Sequence, residues 1–97
     1  MNQILTTASV IKKDNTKIDK IKVDVNGQYE RRHYELKKGA YYVLEPINEE
    51  LKHLKGRMVL IEGFKEIPAG YSVRVFLVEE RKEVVVGLGE LKRLFKN

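Results

Sequence analysis

Residues 57–64 carry Met58, Val59, Leu60 and Ile61 without a polar break, the pattern of a strand covered on both faces. Residues 71–79 alternate instead. Tyr71, Val73, Val75 and Leu77 fall on one face, and Ser72, Arg74, Phe76 and Val78 on the other. Between these runs, Ile67, Pro68, Ala69 and Gly70 form a turn, since proline fixes φ and glycine accepts φ > 0. A polar loop at residues 80–82 leads into a third strand at residues 83–86, close enough to the second to pair with it as a hairpin. Gly87, Leu88, Gly89, Glu90 and Leu91 break the alternation and predict a tight turn or a single 3₁₀ turn. Residues 92–95 then return as a short last strand. Residues 55–95 hold most of the β-forming apolar side chains, so the core is built on them.

The N-terminal half reads as a meander. An edge strand covers residues 4–11, and a polar turn around Asp14 and Asn15 follows. Residues 18–25 put Ile21, Val23 and Val25 on one face and Lys20, Lys22 and Asp24 on the other. Asn26-Gly27 is a strong signal for a two-residue hairpin turn, with the returning strand at residues 28–36. A turn at residues 37–39 precedes a strand at residues 40–45, stopped by Pro46. Tyr41 and Tyr42 point to opposite faces of that strand, one into the core and one to the surface, where it is free to join a stacking platform. Asn48 is placed as a helix N-cap, with Glu49 and Glu50 in the first turn, where they suit the helix dipole. Leu51 and Leu54 share a face, and Gly56 stands where a C-terminal glycine cap belongs. The expectation is a mostly-β single domain over residues 1–97: a β-meander (1–46), a short helix of about two turns (48–55) and a further β half (56–97). The whole forms a small antiparallel barrel or curled sheet.

The C-terminal order resembles the end of a small SH3-like barrel of the Tudor or KOW type. Such barrels finish with a V-x-V-x-F/L strand, a polar turn, a short valine-rich strand, a 3₁₀ turn and a closing strand. The matching positions are Val73, Val75 and Leu77, then residues 83–86, then residues 88–91, then residues 92–94. Tudor domains that read methylated side chains carry a cage aromatic after the long strand. Glu79, Glu80 and Arg81 stand there in this chain, so the resemblance does not extend to methyl-lysine or methyl-arginine reading.

Charge narrows the partners. The net charge is +5 over 97 residues, and it is uneven. Residues 1–40 hold nine Lys/Arg against five Asp/Glu, residues 41–70 four against five, and residues 71–97 six against four. A basic N-terminal half favours an acidic partner, nucleic acid above all. With no cysteine there is neither a disulfide framework nor a thiolate metal site, as suits a reducing cytoplasm. No apolar run approaches the roughly 20 residues a membrane span needs, and the N-terminal residues lack the charged and apolar blocks of a secretory signal.

The candidate site follows from the Asn26-Gly27 turn. With a two-residue turn, Lys22 opposes Arg31, Lys20 opposes His33 and Asp24 opposes Tyr29. Like charges facing each other are destabilising, so a face gathering Lys20, Lys22, Arg31 and His33 around Tyr29 calls for phosphates to neutralise it and a base to stack on the ring. No catalytic constellation competes. His33 and His53 are the only histidines, without ligand spacing, and Ser9 and Ser72 sit inside strand patterns. Glu49 and Glu50 read as helix-start charges, and Gly87-x-Gly89 is too short for a phosphate loop. The reading is therefore a non-enzymatic, cytoplasmic, largely sequence-independent DNA- or RNA-binding module, with no metal and no cofactor. The alternative is a protein-interaction adaptor, such as a small inhibitory or accessory protein of a phage or other mobile element. A basic face interleaved with tyrosine favours the first, and an exposed apolar patch or open strand edge the second.

Overall fold

The computed structural model describes residues 5–14, 17–27 and 31–94. Their strands form two antiparallel sheets. The first contains β1 (Leu5–Asp14), β2 (Lys17–Asn26) and β3 (Arg31–Lys37) in the order β1-β2-β3. The second contains β4 (Tyr41–Leu44), β5 (Met58–Ile67), β6 (Gly70–Leu77), β7 (Lys82–Gly87) and β8 (Leu91–Arg93) in the order β7-β6-β5-β4-β8. Residues 1–46 are thus not one meander, because β4 leaves the first sheet to pair with β5 and β8. The crossing is made at residues 37–39. There the Lys38 amide donates to the Asp19 carbonyl of the first sheet and the Gly39 amide to the Ile61 carbonyl of the second. Gly39 takes φ +85°, a conformation that glycine adopts at little cost.

Alternation builds one core between the sheets. Ile21, Val23, Val25, Tyr34 and Leu36 come from the first sheet, and Tyr42, Leu44, Val59, Ile61, Val73, Val75, Leu77 and Leu91 from the second. The expected inward face of β6 is the observed one. The strand at residues 57–64, expected to be covered on both faces, is covered on one: Val59 and Ile61 are buried, while Met58 is 40% exposed. On the other face Leu60 is only half-buried.

The helix at residues 48–55 is a 3₁₀ helix, Glu49–Leu54. The Asn48 side chain caps it by accepting from the Glu50 amide at 3.0 Å, and Gly56 follows at φ +86°. A second 3₁₀ turn, Leu88–Glu90, precedes β8 and is held by Glu90. One oxygen of its carboxylate accepts from the Gly87 amide at 2.9 Å, and the other accepts from the Ile47 and Asn48 amides at 2.9 and 3.3 Å. No helix among the described residues is long and apolar enough to cross a membrane.

Candidate nucleic-acid interface

The β2–β3 register differs from the one that a two-residue turn dictates. Asn26 pairs with Arg31, so the loop holds four residues, and Lys22 faces Glu35, Asp24 faces His33 and Lys20 faces Lys37. The reason lies in the core. A two-residue turn would set Ile21 against Arg32 and Val23 against Glu30, burying charge. The observed register sets Ile21 against Leu36 and Val23 against Tyr34, and outside it sets Lys22 against Glu35 and Asp24 against His33, leaving Lys20 against Lys37 as the one like-charge pair between the described residues of β2 and β3. The expected pairings of Lys22 with Arg31 and Lys20 with His33 are therefore not formed. Lys20 reaches diagonally to Glu35 at 2.8 Å, and His33 meets Asp24 at 2.6 Å. Tyr29 lies outside the described residues.

Positive charge gathers instead where the two sheets meet. An open groove of about 680 Å³ runs between β3, an edge strand of the first sheet, and β8, an edge strand of the second. Lys20, Lys37, Arg93, Tyr41 and Tyr42 line it, with Glu35. Lys22, opposite Glu35, adds a fourth cation at its margin. The Lys20 hydrogen bond holds the Glu35 carboxyl below its ordinary range, with Lys22 and Arg93 adding to the effect, and Glu35 in turn raises Lys20. Lys20, Lys22 and Arg93 thus act on one carboxylate, and Lys37 lines the same groove. Arg31 and His33 sit further along β3 and are not brought to this groove.

The two tyrosines divide the work of shaping it. Tyr42 is 8% exposed. Its hydroxyl accepts from the Lys37 amide and donates to the Glu35 carbonyl, both at 3.0 Å. It thereby clamps β4 to β3 and fixes the groove floor. Tyr41 is 50% exposed and also lines the groove. The alternation at Tyr41-Tyr42 marks one surface ring in advance. Lys37 is legible in the sequence only as a turn residue, and nothing there marks Arg93, which reaches the groove through the β4–β8 pairing.

Tyr41 also begins an apolar row across the outer face of the second sheet. It faces Leu60, which faces Phe76. A second row carries Val43 opposite Met58, with Val78 bonded to Met58 through its backbone. Among the described residues, no three His, Asp or Glu side chains converge to hold a metal ion. Comparison with protein-family models, with curated proteins and with solved structures finds no match to this chain.

Proposed function

We propose that the chain is a cytoplasmic, non-enzymatic nucleic-acid-binding module that uses the groove between β3 and β8. The observation that carries this reading is the groove lined by Lys20, Lys37 and Arg93 with the single carboxylate of Glu35, on which Lys22 also acts, and with the half-exposed Tyr41. Lysine and arginine neutralise phosphates without reading sequence, and an exposed ring stacks on any base. The strand order, with a 3₁₀ turn before the closing strand, supports reading the C-terminal half as an SH3-like barrel of the Tudor or KOW type. The test is a salt-titrated binding assay with single-stranded and duplex DNA and RNA. Lys37→Ala with Arg93→Ala should weaken binding to all sequences alike and flatten the salt slope by about 1–2 units, while Arg31→Ala, outside the groove, changes little. If the wild-type chain binds none of them at low salt, where screening is weakest, this reading falls.

A second reading, a protein-interaction adaptor of the kind a phage or mobile element carries, draws on the apolar rows of the outer face. Met58 and Val85 there are 40% and 62% exposed, and apolar surface of this kind marks partner sites. The same titration separates the two, because failure to bind any polyanion leaves this face as the binding surface.

A further inference from the structure

The groove is not the only concentration of positive charge. A second cleft of about 460 Å³ opens on the far side of the β3–β4 crossing. Lys13, Lys17, Lys38, Lys65 and Arg74 line it, against Glu62 and Glu66. The four lysines are exposed. Arg74 has Glu62 and Glu83 only at 3.9 and 4.0 Å, the loose end of ion-pair range.

The two clefts take consecutive residues of the chain. Lys37 lines the first and Lys38 the second, and consecutive Cα atoms are about 3.8 Å apart. We infer that the two clefts form one continuous cationic track, and that it takes a single strand of nucleic acid bent around the residue 37–39 turn. This inference rests on the nucleic-acid reading above and adds the second cleft and the strandedness.

The commitment to a single strand follows from dimensions. The molecule measures 38 × 35 × 31 Å, so a ligand that follows both clefts must turn a corner within that span. Duplex DNA has a persistence length of about 500 Å, and bending it by 40–90° over 20–30 base pairs costs on the order of 1–6 kcal/mol. A single strand turns freely, follows a positive groove and stacks bases on an exposed ring such as Tyr41. The two helical elements among the described residues are 3₁₀ pieces of six and three residues, which offer nothing of the length of a helix that reads a duplex major groove.

The test uses labelled oligothymidylates of about 5 and about 20 nucleotides, bracketing the roughly 4–16 nucleotides that small single-strand-binding folds cover. Lys37→Ala with Arg93→Ala should weaken both probes. Lys13→Ala, Lys17→Ala and Lys65→Ala together should leave the short probe, held beside Tyr41, unchanged. The same triple change should weaken the long probe and lower its salt slope by about 2, at roughly 0.7 for each single-strand phosphate left without its lysine. Circular dichroism confirms that each variant folds, and a Lys17→Gln, Lys65→Gln pair repeats the test with polar replacements. If the triple variant leaves the long probe's affinity and slope untouched while the first pair still weakens it, the second cleft is no part of the site and the groove reading stands alone. A duplex of about 20 base pairs bound as tightly as the long single strand overturns the single-strand assignment. Absence of any binding by the wild-type chain removes the nucleic-acid reading itself.

Discussion

At the scale of residues, two carboxylates on the second sheet behave in opposite ways. Glu90 gathers three backbone amides, from Gly87, Ile47 and Asn48, and so ties the turn before β8 to the loop after β4. Hydrogen bonds to a charged group contribute about 1.5–3 kcal/mol where well formed, and these are partly open to water. Glu90→Ala should therefore cost about 1–3 kcal/mol in chemical denaturation, and Glu90→Gln, which keeps one acceptor oxygen, should cost less. Glu62 stands at an irregularity in the β5–β6 register, between Ile61 and Gly63. Burial raises its carboxyl above the ordinary range, and the neighbouring Glu83 raises it further. A raised carboxyl binds its proton more tightly in the folded chain, so this site adds stability as pH falls through its folded pKa and withholds it above. Glu35 and Glu45, lowered chiefly by hydrogen bonds from Lys20 and Lys92, work the other way: their contribution is present above the unfolded pKa and lost as pH falls through the folded one. Glu62→Gln, which mimics the protonated form, should therefore raise the melting temperature at pH 7, with the gain shrinking as the pH is lowered toward the ordinary carboxylate range. A gain that stays constant with pH would show that Glu62 titrates normally.

At the scale of elements, the glycine after the first 3₁₀ helix decides how that helix ends. Gly56 holds φ +86°, an added Cβ would meet no atom within 4 Å, and its amide donates to the Leu44 carbonyl at 2.8 Å. The constraint is conformational rather than steric. Gly56→Asn should be mild, since asparagine tolerates the left-handed region, and Gly56→Val should be strongly destabilising. Equal midpoint shifts in urea would mean the backbone relaxes out of that conformation. The cap at Asn48 and the glycine stop are both legible in the sequence, because each rests on local chemistry. The strands of the C-terminal half are legible too, down to the buried face of β6 at Val73, Val75 and Leu77, because alternation is local. The Asn26-Gly27 signal misplaces the β2–β3 register because it too is local, whereas the register is set by which side chains meet across the strands. Setting Ile21 and Val23 against residues 28–36 and asking which offset meets apolar partners selects Leu36 and Tyr34. The half-exposed outer face of β5 is not legible, since an apolar run does not say whether a second layer lies over it. The groove is hidden for the same reason: it exists only once β8 returns beside β4 and carries Arg93 to Lys37.

At the scale of the whole molecule, the two sheets share one interior. Ile21, Val23 and Leu36 belong to the same buried cluster as Val59, Ile61, Val75 and Leu77. Polar links cross between the sheets as well. The Tyr34 hydroxyl donates to the Leu88 carbonyl at 2.8 Å, and the Tyr42 hydroxyl bridges to the β3 backbone. Neither sheet buries its apolar face without the other, so the chain should unfold as a unit rather than sheet by sheet. Ile21 is fully buried on the central strand of the first sheet. Ile21→Ala should cost about 2–5 kcal/mol through the missing burial and the cavity left behind. If the unit is cooperative, native-state hydrogen exchange should lose protection in β6 of the second sheet by the same amount as in β2, because the most protected amides of both open only in global unfolding. Protection lost in β2 while β6 keeps its own would show that the second sheet holds its fold alone. The groove between β3 and β8 would then be a seam between two independent units, able to open without unfolding either.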